Sequence, residues 1–403
     1  MMNHSYRQKG RTGSLLSLAV AGASIALPAA VSADTFRQAI TEGKASADLR
    51  YRYEYVDQDG LTQQAGASTL RTALGYATKP WYDAGAFIEF EDISVVGTER
   101  YNSSVNGKTG YPVVSDPAGT EVNQAFLEYA GVAATKIRLG RQRIIYDNAR
   151  FIGNVGWRQN EQTFDGFSIV NKSLADTTLN YAYLTNVNTI TGANLESDAL
   201  HLINVSYGGL KAGTLTAYAY LFDFETATDT QTLGARFNGS TAVSEGVKTV
   251  YAVEYASQSD YADAPSTVDA DYLLVEAGAG IGASTIKVGY EVLSGDGVYA
   301  FQTPLATKHA FNGWADKFLT TPVNGLEDLY FSVESTLSGV KVAAVYHDFT
   351  ADQGGADYGS EIDLLAATKL AKDYSVGVKY AGYSTDGFSV DTDKIWLWTG
   401  TSF

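Results

Sequence analysis

Segments of about ten residues in which apolar and charged side chains alternate recur along this chain, and that period of two is what most limits its fold. In LRYRYEY, Leu49, Tyr51, Tyr53 and Tyr55 share one parity while Arg50, Arg52 and Glu54 share the other. KTVYAVEYA sets Tyr251, Val253 and Tyr255 against Glu254, and TIKVGYEVL sets Ile286, Val288, Tyr290 and Val292 against Lys287 and Glu291. LYFSVES and SVGVKYAGY repeat the rule, with Glu334 opposite Leu329, Phe331 and Val333, and Lys379 opposite Val376, Val378 and Tyr380. Successive strand side chains point to opposite faces, so each segment reads as a strand with one apolar and one charged face.

A soluble sandwich would alternate too, but two features favour a transmembrane barrel. The apolar parity is heavy in tyrosine, which suits a strand crossing a lipid-water interface, in a chain with 27 Tyr, 17 Phe and 40 Gly. Turn length also alternates: short turns such as KPWYDA, AGVAATK, SLADTT, GGLKAG and TLSGVK are each followed, one strand later, by a longer polar or Gly-rich stretch. Tight periplasmic turns and larger extracellular loops give that pattern. The expected fold is therefore all-β, a transmembrane antiparallel β-barrel of about 18 strands, with 16 as the main alternative. Strands are expected to start near residues 47, 67, 84, 120, 135, 163, 177, 199, 214, 230, 246, 269, 284, 325, 340, 358, 374 and 392. An even count puts both chain ends in the periplasm, and closure is required because hydrocarbon offers no water to unpaired amides.

The first 33 residues read differently. Arg7, Lys9 and Arg11 precede an apolar run from Leu15 to Val31, and Val31-Ser32-Ala33 supplies small residues for cleavage before Asp34. Residues 1–33 are thus expected to be a secretory signal peptide and 34–403 a single barrel domain; the run is too short and too rich in Ala, Gly and Ser for an anchoring helix. Losing three basic residues makes a chain of formal net charge −16 still more acidic, which argues against nucleic acid as a partner. Cysteine is absent, and the two methionines, Met1 and Met2, leave with the signal, so no disulfide staples the fold. The end, KIWLWTGTSF, places Ile395, Leu397, Thr399 and Thr401 on the parity of Phe403 and resembles the C-terminal signal read by the barrel-insertion machinery.

No enzymatic constellation is legible. His201, His309 and His347 are far apart in the mature chain, His347 and Asp348 would point to opposite faces of a strand, and no nucleophile elbow, zinc or nucleotide motif is present. SGDG at 294–297 and DQDG at 57–60 lack the full ligand set of a calcium loop and read as turns, so neither metal nor cofactor is expected. The inward parity carries Arg50, Arg52, Arg71, Lys136 and Arg138 from early strands and Glu254, Glu276, Glu291 and Glu334 from later ones, with Glu89, Glu91 and Glu128 between the early cations. A basic residue on the lipid face near the midplane would cost about 2 to 4 kcal/mol, whereas a wet lumen accepts it, and a basic ladder facing acidic walls would select small charged solutes. The loop TPLATKHAFNGWADKF, with Phe311, Trp314 and Phe318, is a candidate constriction because its aromatic residues gain by leaving water.

GRQRIIYDNARFIGNVGWRQNEQTFDG, from Gly140 to Gly166, resembles the alginate-export family of outer-membrane barrels through Gly140, Arg141, Gln142, Asp147, Arg150, Gly153, Trp157, Arg158, Gln159, Phe164, Asp165 and Gly166. A second block, Thr303 to Tyr330, also looks like that family. The resemblance implies an 18-stranded barrel in the outer membrane of a Gram-negative bacterium, its lumen lined by arginines that attract an anionic polysaccharide. Arg141, Arg143, Arg150 and Arg158 carry over, together with Lys136 and Arg138. Ile137 and Leu139 should face lipid, which gives Arg141 and Arg143 that same parity. Either a bulge at Gly140 turns them into the pore, the preferred reading, or the strand has left the membrane and they meet lipopolysaccharide phosphates at the rim. The expected function is a passive porin or export channel for hydrophilic, anionic solutes, including oligo- or polysaccharides. A closed-lumen surface barrel is the alternative, and an outer-membrane enzyme comes third.

Overall fold

The computed structural model describes residues 32–403. Eighteen antiparallel strands follow one another around a single closed sheet. They are β1 Lys44–Gln58, β2 Ala65–Ala77, β3 Ala84–Val95, β4 Gly119–Tyr129, β5 Thr135–Gln142, β6 Thr163–Asn171, β7 Thr177–Asn188, β8 Asn194–Leu210 and β9 Gly213–Phe224. The second half comprises β10 Thr230–Ser244, β11 Val247–Ser259, β12 Asp269–Ile281, β13 Ser284–Leu293, β14 Leu326–Leu337, β15 Val340–Thr350, β16 Asp357–Ala371, β17 Tyr374–Thr385 and β18 Thr392–Ser402. Each strand pairs with its sequence neighbours, and β18 closes on β1, with Asp48 opposite Ser402 and Gln58 opposite Thr392. Among the described residues no strand edge is left unpaired, as a sheet in hydrocarbon requires.

The expected count of 18 and the all-β barrel agree with this structure, and every expected start but one falls within three residues of the observed one. β8 begins at Asn194 rather than near 199, because the polar NLESD segment pairs with β7 beyond a register shift at Leu184/Asn186. Polarity reads as loop; hydrogen bonding makes it strand. The signal-peptide expectation for residues 1–33 lies, apart from Ser32 and Ala33, outside the described residues. Just after it, a short helix, α1 (Phe36–Thr41), is capped by Thr35 and Gln38 in a reciprocal capping box that the sequence reading did not anticipate.

Strand parity sorts the side chains as expected. Leu127 (62 % exposed), Leu139, Val253, Val288, Leu329, Phe331 and Leu397 form part of an outward apolar surface. The buried core lies inside the barrel, where loops 143–162 and 294–325 fold inward and place Phe151, Trp157, Phe301 and Phe318 against Tyr218, Tyr220, Tyr272 and Phe349 of the wall. Phe151 meets Tyr218 at 5.2 Å and Tyr272 at 5.3 Å, and Phe318 meets Phe349 at 4.5 Å. A fully buried Phe contributes about 1.5 to 3 kcal/mol, enough in sum to hold long loops inside rather than in solvent.

Candidate functional site

The site is the lumen where those loops meet the wall. Arg50, Arg52 and Arg71 point inward from β1 and β2 but are buried, at 8 %, 1 % and 9 % exposure, because they hold the loops from the strand side. Arg50 donates from Nε to Gln159 Oε1 (2.9 Å), from Nη1 to the Gly156 carbonyl (2.9 Å) and from Nη2 to the Arg158 carbonyl. Arg52 donates to the Trp157 carbonyl and to Asp116, which belongs to loop 96–118. Arg71 bonds Glu91, Asp48 (2.6 Å) and Glu161 (3.4 Å). Carbonyls and carboxylates therefore absorb most of the donors of this ladder, while Arg52 Nε is left without a partner among the described residues.

The arginines of loop 143–162 are paired as well. Arg143 donates to Glu161 through Nε (2.6 Å) and Nη2, and Arg150 to Glu291 (2.8 Å) and Asn312 (3.0 Å). Arg158 bridges Glu54 (3.0 Å) and Asp316 (2.8 Å). Glu161 gains two more donors, Asn154 (2.7 Å) and Asn123 (2.8 Å). Asn123 reaches it because β4 carries an extra residue opposite Glu89/Phe90, which turns both Asn123 and Gln124 into the lumen. Burial alone would raise the Glu161 carboxyl, but Arg143 and Arg71 with these hydrogen bonds hold it down at about 2.

Residues 312–317 of the second loop run inside the barrel along the wall from β13 to β18. Asn312 donates to Glu291 (2.6 Å) and Asp328 (3.1 Å), and the backbone amides of Trp314 and Ala315 donate to Asp363 (3.2 Å) and Glu361 (2.6 Å) of β16. A side chain at Gly313, whose φ is +83°, would strike the Glu361 carboxylate. At the end of the segment Asp316 accepts from Arg158 (2.8 Å), Lys394 Nζ (2.7 Å) and His309 Nδ1 (2.6 Å). His309 accepts at Nε2 from Lys379 Nζ (2.7 Å), which sits 3.6 Å from the ring centre of Trp314, 4.3 Å from Trp157 and 5.4 Å from Trp396. Burial, with Lys379 and Arg158, keeps His309 far below its ordinary range, and its Nδ1 faces the Asp316 carboxylate, which can only accept. Its attraction to Asp316 opposes this without prevailing.

Of the three aromatic residues of the expected constriction, Phe311 meets an arginine. Trp314 is buried in the lysine cage, Phe318 lies against Phe349 and Phe388, and Phe311 is half-buried with its ring centre 4.8 Å from the Arg150 guanidinium. His347 bonds Asp328 of the next strand (2.9 Å), and His201 faces outward beside Tyr181.

Arg141 departs from the preferred expectation. β5 pairs with β4 and β6 without a register shift through Gly140, so Gln142 stays inward and Arg141 outward with Leu139. Its guanidinium grips Asp165 directly opposite on β6, at 2.8 and 2.9 Å, and the Val122 carbonyl at 3.1 Å. Gly140 keeps parity while adopting a φ of +125°, and a Cβ there would lie 2.3 Å from the Ala125 carbonyl oxygen. Arg143 follows the strand end and turns into the lumen with its loop.

Lys136 and Arg138 are placed differently from the buried ladder. Both share Glu128, at 3.1 and 2.8 Å, yet their side chains keep 35 % and 25 % exposure. They line a cavity of about 790 Å³ with Arg143 and Lys172, whose one acidic lining residue is Asp147. A second cavity of about 440 Å³ lies against Phe311 and Trp314 and mixes Arg236, Lys248 and Lys287 with Glu276, Glu291 and Asp328. The sequence reading missed Asp116, Glu161, Asp316 and Lys394. Loop carboxylates show no period, but KIWLW does carry a signal, since Lys394, Trp396 and Trp398 occupy the parity opposite Ile395 and Leu397.

Comparison with known proteins adds three findings. The alginate export family profile matches residues 43–291, so the block from Thr303 to Tyr330 lies beyond the matched span. No curated protein sequence matches significantly. Among solved structures, Pseudomonas aeruginosa OccK9 (OpdG) aligns with a TM-score of 0.71 at 14 % identity over 91 % of this chain and 99 % of that one. Acinetobacter baumannii OccAB4 gives 0.70 at 12 % over 90 % and 98 %, and P. aeruginosa OpdK, solved with vanillate, gives 0.69 at 15 % over 89 % and 98 %. Likeness at these identities establishes the fold. The profile match takes in the first twelve strands and the whole of loop 143–162 with its arginines, and on that ground the chain belongs to the alginate export family, as an outer-membrane β-barrel channel of a Gram-negative bacterium.

Proposed function

We propose that this channel passes small hydrophilic anionic solutes, carboxylated sugars foremost, along its basic wall. The observation that carries the reading is the cavity of about 790 Å³, where Lys136, Arg138, Arg143 and Lys172 outnumber the single acidic lining residue, Asp147. Lys136 and Arg138 are exposed enough to meet a solute, unlike the buried cations of the ladder. Ser168, Asn180, Asn204 and Ser206 line the same space and can exchange hydrogen bonds with hydroxyls. Its volume suits a molecule of one to a few sugar rings, within the range of about 300 to 1,000 Å³ usual for ligand sites. A polysaccharide would have to move through it unit by unit. OpdK, a structural neighbour, was solved with vanillate, itself a carboxylate.

The reading is non-enzymatic: His201 faces outward, and His309 and His347 are occupied by Asp316 and Asp328. It includes a single-domain mature chain beginning at Asp34, contact of the outward surface with lipid and lipopolysaccharide, and Phe403, 71 % exposed, as the mark for barrel insertion. Liposome swelling tests the solute class. Proteoliposomes in isotonic glucuronate should swell faster than those in glucosamine of matched size; equal or inverted rates would overturn the anionic reading.

A further inference from the structure

The segment before β1 lies against the outside of the barrel. Tyr76 has the outward parity of Leu74, and its cross-strand partner Ile88 is likewise exposed. The Tyr76 hydroxyl donates to the Ile40 carbonyl in the last turn of α1, and the Lys79 amide donates to the Ala39 carbonyl at 2.9 Å. Lys79 Nζ meets Glu42, just past the helix, at 2.8 Å. Trp81 bridges to Ala84, which pairs with the outward Tyr129 of β4, and the Phe36 ring stands edge-on to Trp81 at 5.5 Å. These contacts hold α1 on the outer side of the β2–β3 turn, away from the lumen.

One side of the helix is used by these contacts and another is bare. Ala39 is buried, whereas Phe36 and Ile40, four residues apart and so on one face, are 60 % and 47 % exposed. Tyr82, whose ring centre lies 5.0 Å from that of Trp81, is more exposed still. Arg37 and Thr41 are exposed on the polar side. Short turns and both ends of the chain face the periplasm in such a barrel, so Trp81, Tyr82 and Tyr129 stand at the periplasmic lipid-water boundary, where tryptophan and tyrosine collect.

We propose that α1 and the β2–β3 turn form an interfacial anchor: Phe36, Ile40, Trp81 and Tyr82 insert among the phospholipids of the periplasmic leaflet, and Arg37 meets their phosphates. Lipid is the occupant because the patch continues the outward surface of the barrel, where Leu74, Ile88 and Phe90 follow it along β2 and β3. An amphipathic helix with aromatic and aliphatic residues on one face and a cation beside them suits the boundary between headgroups and acyl chains. The capping box serves the same end, since the Thr35 hydroxyl takes the Gln38 amide and the Gln38 side chain takes the Thr35 amide, leaving fewer bare donors at the entry to the helix. The anchor depends on the outer-membrane placement of the barrel and is independent of the solute it passes.

Spin labelling tests it, because the chain has no cysteine and a single introduced one carries the only nitroxide. Ile40→Cys and, as the water-facing reference, Thr41→Cys are labelled on barrels extracted from outer membranes and reconstituted into bilayers of phosphatidylethanolamine and phosphatidylglycerol. The label at position 40 should favour collision with oxygen over a water-soluble nickel chelate at least about threefold more than the label at 41, and should lie about 5 to 10 Å below the phosphates. Adding Phe36→Ser should raise nickel access at position 40 severalfold while the heat-driven gel mobility of the barrel stays unchanged. Equal nickel access at 40 and 41 would overturn the anchor, and so would a value at 40 that Phe36→Ser leaves where it was. Shielding at 40 accompanied by spin-spin broadening that vanishes on dilution with unlabelled barrels would assign the patch to a second copy of the chain and overturn the lipid occupant.

Discussion

Replacing Glu161 by glutamine should release loop 143–162 while leaving the barrel intact. Glu161 accepts from Arg143, Asn154 (2.7 Å), Asn123 (2.8 Å) and, more weakly, Arg71 (3.4 Å), with 5 % of its side chain exposed. Glu161→Gln removes the charge but not the volume, so the cost is electrostatic: Arg143 keeps only Glu89, at 3.8 Å. Breaking one side of a buried pair costs about 3 to 5 kcal/mol, and the residual Glu89 contact argues for the lower figure. About 3 kcal/mol is roughly a hundredfold in the local opening equilibrium. Hydrogen exchange read by mass spectrometry would show it as lost protection in peptides spanning 143–162, with peptides from β11 and β12 as an internal reference. A change below about threefold, the size expected for an exposed ion pair, would refute the claim that buried pairing holds this loop in the lumen.

Three further outcomes follow from the same geometry. Because the Glu161 carboxyl is held from its ordinary 4.5 down to about 2, its contribution is complete above the ordinary value and is lost as pH falls through that window. Protection of loop 143–162, corrected for intrinsic exchange, should therefore hold from pH 7 to about 5 and decline between 4.5 and 2, and Glu161→Gln should abolish that step. Gly140→Ala would force a Cβ to 2.3 Å from the Ala125 carbonyl at a φ of +125°, so heat-driven mobility shifts on gels should reveal a loss of about 1 to 3 kcal/mol. Arg141→Met breaks a partly exposed outward pair with Asp165 and should cost about 1 kcal/mol or less in the same assay, with conductance unchanged.

Strand parity was legible because it is local. Tyr51 opposite Arg52, or Val288 opposite Lys287, states which face meets lipid without knowledge of any other strand. The inward direction of Arg50, Arg52, Arg71, Lys136 and Arg138 follows from that rule, but their accessibility does not. Whether an inward arginine is free or neutralised depends on what folds over it, and those partners are remote: Arg52 meets Asp116 across 64 positions, Arg150 meets Glu291 across 141, and Arg158 meets Asp316 across 158. Loops carry no period from which such pairings can be read. Arg141 shows a subtler limit, since its lipid-facing parity with Leu139 suggested a bulge at Gly140 and a change of face that the unbroken register with Gly166 does not make. Asp165 opposite Arg141 was the available clue, visible only once the hairpin register is known.

The zero-current potential of the wild-type barrel under a potassium chloride gradient tests anion passage along the basic wall most directly. The account predicts a sign set by chloride, with Lys136→Glu and Arg138→Glu together moving it toward potassium, because both are lumen cations open to solutes. A wild-type potential set by potassium, or one that the double variant leaves where it was, would contradict it.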